Sequence, residues 1–227
     1  METKTDDRPV VLTGHYGSGK SELAVNLALK LSRDAGHIAV VDLDIANPYF
    51  RSREAADRLK RHGVRLVGNA YGYDITQDLP ALSSSIKQYL GSPDFKCIVD
   101  VGGNESGARV LNQFSDVLRE KDAKLFIVVN VFRPETDTVS KTISMIKSIE
   151  AETGQFISGI LNNSNMLRKT KPHHISYGFN MLLEVSKQTG IPIVASCACE
   201  DLCGEISGSC GSLMPIEILM RPGWLDM

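Results

Sequence analysis

Eight consecutive residues, Gly14-His15-Tyr16-Gly17-Ser18-Gly19-Lys20-Ser21, constrain this chain more than any other segment. They follow an apolar run ending in Val10-Val11-Leu12-Thr13. They precede Leu23, Ala24, Leu27, Ala28 and Leu31, whose spacing predicts a helix over 21–34. The pattern G-x-x-x-x-G-K-[ST] between a buried strand and a helix is that of a phosphate-binding loop. Glycines let the backbone wrap closely around phosphate with its N–H groups turned inward, and the helix N-terminus adds a favourable dipole. Gly14, His15, Tyr16, Gly17, Ser18, Gly19, Lys20 and Ser21 are therefore the candidate nucleotide contacts. Lys20 would reach the β- and γ-phosphates, and the Ser21 hydroxyl would ligate Mg²⁺. A dinucleotide fingerprint starting at Gly17 would need a third glycine at 22, where the chain has Glu22.

The remainder of the chain repeats the same alternation. Apolar runs at 38–43, 64–67, 95–101, 124–131, 156–161 and 191–196 read as strands. Between them, helices are predicted near 52–62, 80–90, 105–118, 136–152 and 173–189. Continuous Val/Ile/Leu runs are what strands buried on both faces require. The expectation is an α/β fold: a doubly wound, mainly parallel sheet of about seven strands with helices on both faces. The 227 residues suit one nucleotide-binding domain over 1–227. Within it, 1–8 is expected to be a flexible N-terminus. About 200–227 is expected to form a C-terminal tail packed on the domain, although the last ~25 residues show no clear pattern.

Charge and cysteine content narrow the partners. Twenty-five Lys and Arg against 27 Asp and Glu give a formal charge of −2, which speaks against a dedicated polyanion binder. No run approaches 18 apolar residues, and Met1–Asp7 is polar without a secretion-type apolar region, so no membrane association is expected. Five cysteines, an odd number, argue against a closed disulfide framework. Reduced thiols in the cytoplasm are the expectation.

A phosphate loop needs Mg²⁺ held opposite it and a group that aligns an attacking water. Acidic residues at the C-terminal ends of neighbouring parallel strands can do both. Two apolar runs end this way, in Asp42-Leu43-Asp44 and in Asp100-Val101-Gly102-Gly103. Asp100 is the candidate metal-side carboxylate, and Gly103 completes a D-x-x-G pattern whose glycine amide can sense the γ-phosphate. Asp42 or Asp44 could act at the Mg²⁺ or the water, or cap the turn at Asn47-Pro48.

These motifs together resemble the MinD/ParA group of P-loop ATPases, over roughly residues 9–200. The resemblance also draws on Asn130 followed by Pro134-Glu135, and on Gly159-Ile160-Leu161-Asn162 late in the chain. It implies ATP as ligand, with Lys20 and Asp44 as catalytic residues and Ser21, Asp42 and Asp100 supporting hydrated Mg²⁺. Asp44 would position the water. It makes Asn162 the candidate adenine contact, with Asn163 as the adjacent alternative, and places a nucleotide-sensing switch at Asn47-Pro48 and Gly103. His15 departs from the pattern: many members carry there a signature lysine that crosses a dimer interface to the partner's nucleotide. A homodimer is one arrangement the resemblance implies, with His15 supplying a cation only when protonated.

Four thiols, Cys197, Cys199, Cys203 and Cys210, fall within fourteen residues. Such density could hold Zn²⁺ or an iron–sulfur cluster, but the paired C-x₂-C spacing of zinc ribbons is missing, so ordinary reduced cysteines are the expectation. Arg51, Arg53, Arg58, Lys60, Arg61 and Arg65 form a basic stretch, and Arg168-Lys169-Thr170-Lys171 a second. Both read as solvated surfaces, not as a nucleic-acid site. The functional expectation is a Mg²⁺-dependent ATP-binding protein with slow ATPase activity, a nucleotide-driven switch acting on an unidentified protein partner. Two alternatives stand beside it. One is an ATP-dependent small-molecule kinase or a ligase of the dethiobiotin-synthetase type. The other is a nucleotide-binding metal-cluster chaperone using the thiols.

Overall fold

The computed structural model describes residues 7–33, 36–43, 53–68, 79–102, 105–206 and 210–220. Strands β1 (Val10–Thr13), β2 (His37–Asp42), β3 (Arg65–Gly68) and β4 (Phe95–Asp100) form its first half. Strands β5 (Lys124–Val129), β6 (Gly159–Asn162), β7 (Ile193–Cys199) and β8 (Leu213–Ile216) form the second. All pair in parallel, in the order β3-β2-β4-β1-β5-β6-β7-β8. The helices are α1 (Lys20–Leu31), α2 (Arg53–Arg61), α3 (Leu79–Gly91), α4 (Glu105–Asn112) and α5 (Ser115–Glu120). They continue with α6 (Val139–Thr153), α7 (Pro172–Thr189) and the single turn α8 (Glu200–Cys203). The expected doubly wound α/β sheet is present.

Strand alternation divides the core into two layers. Val11, Val41, Val99, Ile127 and Ile160 face one side, where they meet Ile86 and Leu90 of α3, Leu111 of α4, Ile146 of α6 and Leu182 of α7. Leu12, Val40, Ile98, Val128 and Leu161 face the other, packing on Leu23, Ala24 and Ala28 of α1 and Leu59 of α2. Strand β1 lies in the middle, between β4 and β5. Its C-terminal end therefore opens into the crevice where connections diverge to either side, the place at which open α/β sheets bind ligands.

Two elements differ from the sequence reading. The helix expected over 105–118 is two helices. The chain turns at Gln113-Phe114, with Phe114 N–H bonded to the Leu111 carbonyl, so that Leu111, Phe114 and Leu118 are all buried. The tail adds an eighth strand, β8, at the sheet edge. Pro215 is tolerated there because an edge strand pairs on one side only, here with β7. Among the described residues no helix is long and apolar enough to cross a membrane.

Leu12 is fully buried between the sheet and α1. Leu12→Ala should cost roughly 2–5 kcal/mol of stability, read as a lowered denaturant midpoint in equilibrium unfolding.

Candidate functional site

The loop between β1 and α1 is shaped by backbone demands. Gly14, Gly17 and Gly19 have φ of 134°, 74° and 92°, a region that L side chains rarely enter. At Gly14 a Cβ would also collide with the Val128 carbonyl of β5, and at Gly19 with the Asn163 amide. Ser18 N–H bonds back to the His15 carbonyl at 3.2 Å and closes the turn. Lys20 is buried despite its charge, and its Nζ donates to the His15 carbonyl at 3.1 Å. Ser18 Oγ is buried without a hydrogen-bond partner in the protein, a polar group that a phosphate oxygen would satisfy.

Opposite the loop, Asp42 and Asp100 end neighbouring strands as register partners. Both are buried. Leu43 N–H donates to the Asp100 carbonyl and Val101 N–H to that of Leu12, at 2.9 and 3.1 Å, which fixes the end of β4. Ser21 Oγ donates to Asp100 Oδ2 in a short bond of 2.5 Å. A hydroxyl and a carboxylate, both oxygen donors, suit a hard cation such as Mg²⁺. Asp44, Asn47, Pro48 and Gly103 lie outside the described residues.

Beside the loop a cavity of about 100 Å³ is walled by Leu167, Ile175, Cys197, Ala198, Ile216 and Ile218, with Arg133 and Asn163 among its polar lining residues. The structure separates the two late asparagines. Asn162 is fully buried, and its amide is committed: Nδ2 donates to the Ile175 carbonyl at 3.1 Å and to Ser196 Oγ at 3.0 Å, while Oδ1 accepts from Ser164 N–H at 3.2 Å. Asn162 therefore braces β6 against α7 and β7 and does not line the cavity. Asn163 does: its Nδ2 donates to the Ser18 carbonyl at 2.7 Å, and its Oδ1 is a buried acceptor without a hydrogen-bond partner in the protein.

Three further residues are invisible to motif reading. Arg133 Nε donates to the Gly17 carbonyl at 3.0 Å and brings a guanidinium to the loop from the β5–α6 connection. Leu167 takes φ of 55°, unusual for a branched side chain, and is held there by Asn165 Oδ1 on its N–H and Thr170 Oγ1 on its carbonyl. Glu22 accepts backbone N–H groups from the tail. Burial pushes its carboxyl above the ordinary carboxylate range, against the lowering effect of those bonds from Leu219 and Met220. His15 Nδ1 lies 3.5 Å from Glu135 Oε2, an ion pair only when the imidazole is protonated, and Tyr16 is exposed.

The four late thiols fall in two overlapping neighbourhoods: Cys197 and Cys199 line the cavity, and Cys203 and Cys210 pack in one small apolar cluster. Cys197 is buried in the layer under α1, while Cys210 is buried with Ile175, Ala198 and Ile206 and lies 3.2 Å from Ser176 Oγ. Cys203 Sγ points at the carbonyls of Ala198 and Cys199. Among the described residues no three His, Cys, Asp or Glu side chains converge as a metal site.

The profile of the family described as "CobQ/CobB/MinD/ParA nucleotide binding domain" matches residues 10–175. A curated protein, the iron-sulfur cluster carrier protein of Deinococcus radiodurans, is 33% identical over 98 residues, covering 36% of this chain and 28% of that protein. Among solved structures, signal recognition particle receptor FtsY of Elizabethkingia anophelis superposes with a TM-score of 0.54 at 16% identity. It covers 88% of this chain and 60% of its own. Signal recognition particle 54 kDa protein of Aeropyrum pernix, in complex with GDP, gives a TM-score of 0.51 at 16% identity, covering 82% of this chain and 40% of its own. The chain thus spans little more than a quarter of the curated relative, and those two structures show likeness of fold alone.

Burial pushes the thiols of Cys97 and Cys197 up to about 12, and it raises those of the more open Cys199 and Cys203 as well. With a disulfide reagent at pH 8, the native protein should label slowly at Cys199 and Cys203. Cys97 and Cys197 should react only after denaturation, as read by peptide mass spectrometry.

Proposed function

We propose, starting from the fact that the chain belongs to the CobQ/CobB/MinD/ParA nucleotide-binding family, that it is a Mg²⁺-dependent ATPase that works as a nucleotide-driven switch. One observation carries the reading. A glycine loop with an unsatisfied buried hydroxyl and a buried lysine faces a serine–aspartate oxygen pair at the central strand ends. Mg²⁺ would be held by Ser21 and Asp100, with Asp42 beside them, and would supply charge stabilisation on the phosphate oxygens. Lys20, released from the His15 carbonyl, would neutralise charge developing on the γ-phosphate during in-line attack by water. Asp44 is proposed to orient that water, and Asn47, Pro48 and Gly103 to sense the γ-phosphate.

The cavity beside the loop supports adenine as the base. Its apolar walls suit a flat ring, and Asn163 Oδ1 is an acceptor for an exocyclic amine. Guanine presents adjacent N–H donors that a carboxylate reads best. The acidic residue among the described lining is Glu22, whose oxygens already accept from Leu219 and Met220. We therefore assign base recognition to Asn163 instead of Asn162. One nucleotide-binding domain spanning 1–227, acting on a protein partner from the cytoplasm, completes the proposal. The relative's cargo, an iron–sulfur cluster, is not carried over, because the match covers 28% of that protein and, among the described residues, no three His, Cys, Asp or Glu side chains converge.

Calorimetry with ATP, GTP and CTP, with and without Mg²⁺, tests this directly. ATP should bind best, and Lys20→Ala should lower hydrolysis by about a hundredfold or more. Absence of Mg²⁺-ATP binding by the wild-type chain would sink the proposal. Turnover only in the presence of a second substrate would instead favour a kinase or ligase.

A further inference from the structure

The first turn of α1 holds more than the phosphate ligands. Glu22 follows Ser21 directly, and an acidic side chain there needs no partner, because the helix dipole favours it in solvent. Glu22 is nevertheless drawn into the protein and spent on two backbone amides of the tail. Its Oε1 accepts from Leu219 N–H at 2.5 Å and Met220 N–H at 3.2 Å, and its Oε2 accepts from Met220 N–H at 3.1 Å. One turn further on, Asn26 grips the same segment in both senses. Its Nδ2 donates to the Glu217 carbonyl at 2.9 Å, and its Oδ1 accepts from Glu217 N–H at 2.8 Å. Residues four apart share a helix face, so the two side chains work as one clamp.

The clamped segment is a wall of the cavity. Ile216 and Ile218 line it, and Met220 is buried against the α1 layer. Arg58 of α2 adds an ion pair to Glu217 at 2.8 Å, but both partners are well exposed, so that contact contributes little. The charge-assisted bonds from Glu22 are the strong ones, and they act on the residues on the far side of Ile218 from the Asn26–Glu217 pair. A segment without such anchors would leave Ile218 with no fixed position beside the base.

We propose that Glu22 is a positioning residue for nucleotide binding: it fastens Glu217–Met220 so that Ile216 and Ile218 close the base side of the cavity. This rests on the nucleotide-binding reading above. The role is separable from the phosphate loop: Lys20 donates to the His15 carbonyl and Ser21 to Asp100, whereas Glu22 and Asn26 hold the tail.

The experiment compares wild type, Glu22→Ala, Glu22→Gln and Asn26→Ala. Calorimetry is run with Mg²⁺-ATP and with Mg²⁺-tripolyphosphate, which has no base. Hydrogen exchange is followed at Leu219 and Met220. Glu22→Ala should weaken ATP about tenfold, the size expected for losing charge-assisted bonds, while tripolyphosphate affinity stays within about twofold. Exchange at both amides should rise. Glu22→Gln keeps one acceptor oxygen and should recover most of the ATP affinity, and Asn26→Ala should share the ATP-selective loss. Unchanged ATP affinity or unchanged exchange in Glu22→Ala overturns the proposal. So does an equal loss of ATP and tripolyphosphate, which would mark damage to the loop. Wild type that binds no nucleoside triphosphate overturns the parent reading as well, whereas failure confined to the Glu22 variants overturns this inference alone.

Discussion

The close approach of the Gly14 backbone to the Val128 carbonyl is the contact on which the rest of the site depends. It lets the chain leave β1 tightly against β5 and turn over the face that carries α1. The following glycines then hold φ values that keep Gly17 under the Arg133 guanidinium and Gly19 under the Asn163 amide. Connections from three strands, β1, β5 and β6, thereby meet on one loop. Each brings a polar group that satisfies a loop carbonyl: Arg133 for Gly17, Asn163 for Ser18, and Lys20 for His15. Pairing of these carbonyls ties the loop to the two later connections.

The glycine loop of the candidate site is legible in the sequence because its residues are contiguous. The same holds for β1, β2, β4 and β5, whose continuous apolar runs mark strands buried on both faces. The cavity beside the loop is not legible there. Arg133, Asn163, Leu167, Cys197 and Ile218 come from four separated segments, and no spacing rule connects them. Strand β8 was hidden for another reason: Leu213-Met214-Pro215-Ile216 is short and carries a proline, which argues against a strand unless it lies at an edge. The break between α4 and α5 was masked because 105–118 keeps helical spacing across the turn at Phe114.

Alternation does contain the signal that separates Asn162 from Asn163. Leu12 faces α1, and α1 is the helix that the phosphate loop opens. In β6, Leu161 faces the same side, and Ile160 the opposite one. Successive strand residues point to opposite faces, so Asn163 shares the side of Leu161 and of the loop, and Asn162 shares the side of α7. The family pattern alone points to the strand end, whereas the parity of the strand decides which amide meets the loop. The same rule sets Cys197 on the α1 side with Ala195 and puts Ser196 on the other, where it meets Asn162. By the same parity Cys199 falls on the side of Cys197, and both line the cavity.

Helix geometry explains how so few residues serve both loop and tail. Successive side chains on an α-helix are about 100° apart. Lys20 therefore folds back into the loop, Ser21 turns toward the end of β4, and Glu22 turns toward the tail. Three adjacent residues reach the glycine loop, the Asp100 carboxylate and the tail segment that walls the cavity, with Asn26 repeating the last direction one turn later. Any rotation of α1 about its axis would move all three contacts together. That coupling is a property of the helix itself and requires no separate relay between loop and tail.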